Sequence, residues 1–449
     1  MHYENQRHPA LISAMHRLEK LNLDQFEVYF ENRTATRIDS KDQEIDSLSR
    51  SHDVGLAIRL IKDQKLGFSF TTSLEDTAIQ RAIETAHEIA KHMPEDPFVT
   101  LHYFENSVYP NVDTFDHKGL AVPVAEKIKL AKQLEAYCRN SDPRITAVRQ
   151  ASLSESSLEI QIMDSNGEHI QHKTTGFVAS VTCKAESHGD SQMGGDFGFS
   201  NDLDSLPIQT TGHLAAQWAV ELLGAKPAPT LKCPAVLRNS VVADLLDFLS
   251  SSFSAEQIEK GRSMLAGKIG EHLFSDQVTL IDDGLLSGGM GTAPFDGEGI
   301  PSQRNILIDR GFISSVLSDL YYSKKKGLQA TSSSVRGIKS PPSIEFSNLY
   351  LEKGRKSLEA LFDGITKGIL ITDLMGLHTA NPVTGDFSLG ASGILIEKGK
   401  LTQPVRGFAV AGNVLEMFRK ISDIGSDLRF FGKVGAPSVR LTEISVGGA

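Results

Sequence analysis

The sequence has few cysteines, no long apolar run and no excess of basic charge. Its 449 residues contain three cysteines, Cys138, Cys183 and Cys233, and none belongs to a C-x-x-C pair. These counts exclude a disulfide framework and a four-cysteine zinc module, and they favour a reducing compartment. No stretch approaches the roughly 18 apolar residues of a membrane-spanning helix, and the N-terminus has no apolar signal core. We therefore expect a soluble, cytoplasmic protein with no membrane partner.

The charge balance argues against nucleic acid as a partner. Lys and Arg number 46 against 56 Asp and Glu, which gives a formal net charge of -10. Binding to phosphate requires a concentrated basic surface, and the one tight basic run is Lys324, Lys325 and Lys326. With 38 glycines and 23% charged residues, the chain is expected to be turn-rich and mixed rather than a helical bundle.

Apolar periodicity predicts the local structure of the first half. Helical spacing covers residues 10–21, the stretch from Ser73 as N-cap through Ile89, residues 124–139, a segment ending near 223 after the glycine-rich stretch 189–198, and residues 241–264. Alternation predicts strands at 26–30, 54–61, 65–70 and across 146–184, with a hairpin turn at 164–167.

A proline-rich stretch divides the chain. Pro227, Pro229 and Pro234 should stop helix and sheet alike, so we place a linker at 226–234. The fold class is then α+β: an N-terminal domain, 1–225, with a mixed sheet and helices, and a β-rich, largely antiparallel C-terminal domain, 235–449. A subdivision of the first domain near residue 120 is left open.

The motif His87-Glu88-Ile-Ala-Lys-His92 has the spelling of a metal site, H-E-x-x-x-H. In a helix the two rings would lie about 140° apart, against about 40° for the ordinary H-E-x-x-H spacing. We therefore interpret His87, Glu88 and His92 as a decoy with histidines at the solvent edges of an amphipathic helix, and we assign no catalytic or metal residue.

Acidic residues that could supply carboxylate pairs are Glu155, Glu159, Asp282, Asp283, Asp296 and Glu298. Such pairs arise by chance at this density of acids, and nearly all of these side chains are expected at the solvated surface.

An ordered series of phrases in the second half resembles the TldD/PmbA family. The phrases are Gly291-Thr-Ala-Pro-Phe-Asp-Gly-Glu-Gly-Ile-Pro301, Gly385-Asp-Phe-Ser-Leu-Gly-Ala-Ser-Gly393, Pro404-Val-Arg-Gly-Phe-Ala-Val-Ala-Gly-Asn413 and Gly425-Ser-Asp-Leu-Arg429. The resemblance implies a cytoplasmic zinc metalloprotease in which a TldD-type subunit pairs with a TldE (PmbA)-type subunit. Its implied substrates are unfolded peptides, in leader-peptide removal and antitoxin turnover.

The chain departs from the zinc-bearing type at both ligand positions. The helix expected to hold zinc reads Ser240 to Ser252 without a histidine, and Leu428 to Gly435 lacks the expected cysteine. The resemblance is therefore to the TldE (PmbA) type, which implies no cofactor in this chain and zinc in the partner subunit.

Three functions remain open, and whether the chain is itself an enzyme is uncertain. The first is a non-catalytic subunit that binds a TldD-like zinc-bearing paralogue and completes a peptide cavity, binding extended peptide by strand addition. The second is a stand-alone hydrolase with an unrecognised site. The third is a homodimeric binding or regulatory protein, to which the family's label of DNA gyrase modulator belongs.

Residues proposed to line the peptide cavity are Asp296, Glu298, Arg304, Asp386, Phe387 and Ser388. The plainer interpretation is that Gly385 and Gly390 are turn glycines, with Asp386 capping backbone amides and Phe387 in the core.

Overall fold

The chain folds into an N-terminal sheet with helices, followed by a part rich in strands. The structure is a computed structural model that describes residues 7–448. The elements before residue 222 are α1 Pro9–Leu18, β1 Gln25–Lys41, β2 Glu44–Lys62, β3 Lys65–Thr71, α2 Asp76–His92, α3 His117–Ala121, α4 Val124–Arg139, β4 Ile145–Asp164, β5 His169–Ser187, β6 Asp190–Ser200 and α5 Ile208–Glu221.

The remaining elements are mostly short strands. They are β7 Lys226–Pro227, β8 Leu231–Leu237, α6 Asn239–Ser250, α7 Ala255–Glu259, β9 Leu280–Asp283, β10 Arg304–Asp309, β11 Phe312–Ile313, α8 Leu320–Lys326, β12 Ser334–Gly337, β13 Ser340–Ile344, β14 Leu349–Leu351, β15 Lys367–Met375, β16 Asp386–Glu397, β17 Lys400–Asn413, α9 Val414–Arg419, β18 Ile421–Ile424, β19 Arg429–Phe431, β20 Val434–Ala436 and β21 Val439–Gly447. Short 3₁₀ turns lie at Ser251–Phe253, Glu359–Phe362 and Leu377–Thr379.

The N-terminal sheet is antiparallel throughout, in the order β3-β2-β1-β4-β5-β6. Strand β4 pairs with β5 along nearly its whole length, from Ile145↔Ala185 to Met163↔His169. Strand β6 is shorter and pairs with β5 only between 177 and 187. Residues 169–176 of β5 therefore form an edge that β6 does not cover.

One face of this sheet carries two separate apolar cores. Phe30 packs with α1 and α2 at one end, and Ile38 packs with α4 and α5 at the other. Both lie on the same face because side chains alternate along a strand. Between them, residues 31–37 are polar apart from Ala35 and none is buried. The sheet thus supports two packed regions separated by a polar stretch.

The C-terminal part has one extensive core between two larger sheets. Their strand orders are β18-β21-β8-β15-β16-β17-β7 and β11-β10-β9-β14-β20-β19. Helix α6 contributes Val241, Leu245 and Leu249 to that core. A two-stranded hairpin, β12–β13, stands apart from both sheets. None of the helices in residues 7–448 combines the length and the apolar character needed to cross a bilayer.

The α+β fold class and the strand-rich C-terminal part are confirmed. Helix 124–139, the β2–β3 hairpin and the turn at 164–167 are also confirmed. These elements follow from patterns within a single segment, such as an apolar stripe or an Asn-Gly turn.

Two predictions about α2 were wrong, and one strand was not predicted. The glycine-rich stretch lies in strand β6, Asp190–Ser200, where Gly194 leaves space for the backbone of α5: an added Cβ would lie 2.4 Å from the Ala215 oxygen. Ser73 does not cap α2, whose N-cap is Glu75. Ile89 is 40% exposed rather than part of the buried stripe.

Two of the three prolines lie within strands of the C-terminal sheet, and Pro229 lies between β7 and β8. Pro227 lies in β7, a two-residue edge strand, where a missing N–H costs no ladder bond. Pro234 lies in β8 at a point where the register with β21 shifts, between Cys233↔Ile444 and Ala235↔Leu441. The single helix expected over 241–264 is also wrong, since α6 ends at Ser250 and α7 begins at Ala255.

A buried cluster of four charges joins the N-terminal sheet to the C-terminal part. Arg59 of β2 donates to Glu27 of β1, with Nε 2.7 Å from Oε1, and its Nη1 lies 3.1 Å from Oε1 of Glu298. Arg336 of β12 also donates to Glu27. All four side chains are at most 5% exposed. Burial alone would raise the pKa of Glu27, but the charges of Arg336 and Arg59 hold it at about 2.

Arg59→Met should destabilise the protein strongly, because it leaves Glu27 and Glu298 buried without their shared partner. We expect the free energy of unfolding to fall by about 3–5 kcal/mol, measured by urea denaturation. The exposed pair Lys91–Glu88 provides the control, and Lys91→Met should cost less than about 1 kcal/mol. Equal effects of the two substitutions would contradict a role for the cluster in holding the domains together.

Candidate functional site

The helix at which the family resemblance implies zinc presents no suitable donor set. Helix α6 turns its valines and leucines inward and leaves Asp244 and Asp247 exposed. Partial desolvation by the surrounding protein, followed by the charges of Asp373 and Asp247, raises the pKa of Asp244 to about 6. Within residues 7–448, no three His, Cys, Asp or Glu side chains converge as a metal-binding group. The residues here do not fit a zinc ion, which needs at least three converging protein ligands.

The H-E-x-x-x-H motif, His87 to His92, lies at the C-terminal end of helix α2. His92 is exposed, and its Nε2 lies 3.0 Å from Oε1 of Glu88. Lys91 contacts the other carboxylate oxygen of Glu88 at 2.9 Å. These are contacts between residues three and four apart on a helix surface.

A large cavity lies beside the uncovered edge of β5. Its volume is about 1360 Å³. One wall is β5 from His169 to Lys173, and another is the loop 109–115. Helix α1 contributes Pro9 and Ile12, next to its N-cap residue His8. Pro294 and Phe295 of the C-terminal part complete the lining, so both parts of the chain form this cavity.

The main chain of β5 points into this cavity at alternate residues. At the hairpin end, Asp164 N–H donates to the Glu168 oxygen at 3.1 Å, which fixes the alternation of hydrogen bonds between β4 and β5. Gln171 therefore stands in a non-hydrogen-bonded pair with Gln161, with its N–H and C=O directed away from β4. Thr175, four residues further along β5, also has its N–H directed away from β4, and this N–H donates to the Thr114 oxygen at 2.8 Å. The loop thus occupies the edge at Thr175 and leaves it open at Gln171.

Two histidines of β5 lie on opposite faces of the sheet beside this edge. His169 Nε2 lies 3.1 Å from Oε1 of Gln161, and His172 Nε2 lies 3.4 Å from Oγ1 of Thr114. Burial lowers the pKa of both histidines to about 4. Both rings are therefore uncharged near neutral pH, which suits them to hydrogen bonding and packing.

A smaller cavity of about 150 Å³ adjoins the large one and shares His172 and Phe295 with it. Tyr29 and Ile160 of the N-terminal sheet line it, as do Phe346 and a series of serines from the C-terminal part: Ser302, Ser332, Ser333, Ser334 and Ser347. The two cavities meet at the junction that the buried charge cluster holds together.

Among the six residues proposed from the sequence, Asp296 lines the smaller cavity. Its carboxylate accepts N–H bonds from Glu298, Ile300 and Ser334 at 2.9–3.1 Å. Burial, and then the charge of Glu298, raises the pKa of Asp296 to about 7. Glu298 belongs to the charge cluster, and Arg304 is half-exposed at the start of β10, 3.9 Å from Asp283.

The segment 385–388 lies at the start of β16. Gly385 is a turn glycine with φ of 81°, and Phe387 is in the core. Asp386 accepts from the side chain of Asn413 at 2.9 Å, and Ser388 is exposed. Gly390 is not a turn glycine, because it lies within β16 and has no positive φ.

The expectation that nearly all six acids are solvated was wrong for Asp282 and Glu298, which are 0% and 4% exposed. Burial is tolerated because each accepts main-chain hydrogen bonds. Asp282 Oδ1 accepts from Ser347 at 2.7 Å and Asn348 at 3.1 Å, which fixes the segment beside the smaller cavity. Burial raises the pKa of Asp282 to about 7.

Asp282 should make stability fall with rising pH. Its folded pKa, about 7, lies above the unfolded value near 3.9, so its contribution is present below pH 4 and lost as pH rises through 7. Asp282→Asn retains an oxygen for both N–H groups and carries no charge. We expect it to match the native protein near pH 4 and to exceed its stability at pH 8, measured by urea denaturation across that range. The exposed Asp46→Asn is the control, and an unchanged pH slope in Asp282→Asn would contradict the assignment.

Sequence reasoning missed Tyr29, Tyr109, His172 and Phe295, the side chains that bring the cavities together. The apolar–polar alternation along β5 could have placed His172 on the same face as Ile170. No local signal shows that β6 is too short to cover the edge.

The chain is similar to known proteins in both sequence and structure. Three models of PmbA/TldA metallopeptidase domains match this chain. The model of domain 1 matches residues 26–90, that of the central domain matches 117–223, and that of the C-terminal domain matches 230–448. The chain is 26% identical to "Metalloprotease PmbA" of Escherichia coli O157:H7, covering 95% of this chain and 92% of that protein. It is 25% identical to "Metalloprotease TldD homolog" of Buchnera aphidicola, covering 97% and 95%.

Solved structures agree over the whole length. TldE from Thermococcus kodakarensis matches with a TM-score of 0.87 at 25% identity, covering 98% of this chain and 100% of that chain. A Thermotoga maritima protein that carries a DNA gyrase modulator label matches with a TM-score of 0.89 at 25% identity, covering 97% and 99%. The three family models together match most of the chain, and the chain therefore belongs to the PmbA/TldD metallopeptidase family.

Proposed function

We propose that this chain is a TldE (PmbA)-type subunit that holds unfolded peptide for a zinc-bearing TldD-type partner. The observation that carries the proposal is the open main-chain edge of β5 at Gln171, which faces a cavity of about 1360 Å³. An extended peptide can add to such an edge through main-chain hydrogen bonds, which require no particular sequence. The long strand β5, rather than a short strand of the C-terminal part, is the candidate for this strand addition.

The assignment of zinc to the partner rests on helix α6. It has no histidine, and its outward carboxylates, Asp244 and Asp247, do not form a three-ligand group. In this proposal the partner's metal supplies the Lewis acid and activated water of peptide hydrolysis. This chain contributes peptide binding and orientation. The three free, buried cysteines are consistent with action in the cytoplasm.

The complex is tested by producing the chain with and without its zinc-bearing paralogue. We expect the two chains to co-purify and to cleave an unfolded peptide, such as a leader peptide, only when both are present. Elemental analysis should find zinc in the partner and none in stoichiometric amount in this chain. One zinc per isolated chain, lost on His87→Ala, would overturn the proposal. Peptide cleavage by the isolated chain in the presence of a chelator would instead favour a stand-alone hydrolase.

The β5 edge is tested by Gln171→Pro, with Gln171→Ala as its matched control. Proline removes the outward N–H and leaves the ladder to β4 intact, because this N–H does not take part in it. Loss of one main-chain hydrogen bond and the bulk of the ring should raise the KM of the complex for unfolded peptide by about fivefold or more. Gln171→Ala keeps the N–H and should stay within about twofold. Equal KM values for the two variants would contradict strand addition at this edge.

A further inference from the structure

The smaller cavity lies where a strand added to β5 would direct one of its side chains. In an antiparallel or parallel pair, residues opposite each other point to the same face of the sheet. His172 and Ile170 share the face of the smaller cavity, whereas Gln171 and Lys173 point to the other face. A peptide residue opposite His172 would therefore direct its side chain beside Phe295, at the entrance that the two cavities share.

Apolar atoms provide most of the surface of the smaller cavity, although serines, Asp296 and charged side chains also line it. Tyr29, Ile160, Phe295 and Phe346 line it together with His172. Phe295 packs edge-on against Tyr109 at 5.8 Å between ring centroids and against His172 at 6.3 Å. Since burial lowers the pKa of His172 to about 4, this ring adds no positive charge to the wall near neutral pH.

The wall is also held in a fixed position. The guanidinium of Arg336 stacks over the Tyr29 ring at 4.2 Å, and the Tyr29 hydroxyl donates to Oε2 of Glu31 at 2.9 Å. The opposite charges at the rim are paired, with Nζ of Lys433 3.4 Å from Oε1 of Glu345. A pocket in a fixed position, whose surface is mostly apolar and whose rim charges are paired, favours an apolar occupant over a charged one.

The volume sets the size of that occupant. An apolar protein cavity of about 150 Å³ can hold a benzene ring. The smaller cavity, at about 150 Å³, is therefore large enough for the side chain of leucine, methionine or phenylalanine.

We propose that the smaller cavity is a specificity pocket for one bulky apolar or aromatic side chain of an extended peptide bound along β5. This inference rests on the proposed function, since it requires peptide at the β5 edge. It adds a preference at a single peptide position, and the peptide residues on either side of that position point to the opposite face of the sheet.

The test measures binding of fluorescein-labelled peptides to the full-length chain, alone and with its zinc-bearing partner, by fluorescence anisotropy in the presence of a chelator. Ten-residue alanine–serine peptides carry Phe, Leu, Ala, Asp or Lys at one central position. We expect Phe and Leu to bind at least about tenfold more tightly than Ala, and Asp and Lys no more tightly than Ala. Ala293, a small residue in the cavity wall, is replaced by leucine to fill the pocket.

Ala293→Leu should reduce the ratio of Phe to Ala affinity to near one. Ala121→Leu, the same change at an exposed position at the end of α3, should keep the ratio of the native chain. Circular dichroism establishes that both variants are folded. If a variant does not fold, the peptide series on the native chain still tests the pocket. Equal affinities for all five peptides, or preference for Asp or Lys, would overturn the pocket and leave the proposed function standing. Failure of every peptide to bind chain and complex would refute the proposed function, and the pocket with it.

Discussion

The functional architecture depends on the buried charge cluster of Glu27, Arg59, Glu298 and Arg336. Neither cavity belongs to one part of the chain, because Phe295 comes from the C-terminal part whereas His172 comes from the N-terminal sheet. Two Glu–Arg pairs balance in formal charge, but they remain favourable in the interior only while every partner is in place. The charge cluster therefore helps to fix hairpin β12–β13 on the sheet, beside an apolar cluster in which Phe295 packs with Tyr29 and Ile170.

Elements with a local signal were predicted from the sequence. Helix α4 and the β2–β3 hairpin follow from periodicity and turn chemistry within one segment. Strand β6 was missed because its glycines indicate a loop, whereas Gly194 is required for close packing against α5. Pro234 was predicted to end the sheet, but it lies within β8. The sheet tolerates it because the register with β21 shifts at this point, and β21 is about 200 residues away along the chain.

The site was less accessible to sequence reasoning than the fold. The ordered sequence motifs of the C-terminal part identified the family, and the absence of a histidine from α6 can be read directly from the sequence. Of the six proposed cavity residues, Asp296 alone lines one of the two cavities, because its turn follows Phe295 in the chain. The rest of the lining is assembled from positions as distant as 29, 172 and 346. Only tertiary structure relates them, and an uncovered strand edge is a property of strand lengths and not of any motif.

The polar stretch between the two cores of the N-terminal sheet has a consequence for motion. Around Phe30 and around Ile38 the sheet is backed by helices, but residues 31–37 join these regions through the backbone ladder without a shared apolar core. Cooperativity of unfolding follows buried contacts, so each region can open without requiring the other to open. The long strands β1 and β4 thereby connect two regions that can open separately, one with α1 beside the larger cavity and one with α4 and α5 at the far end.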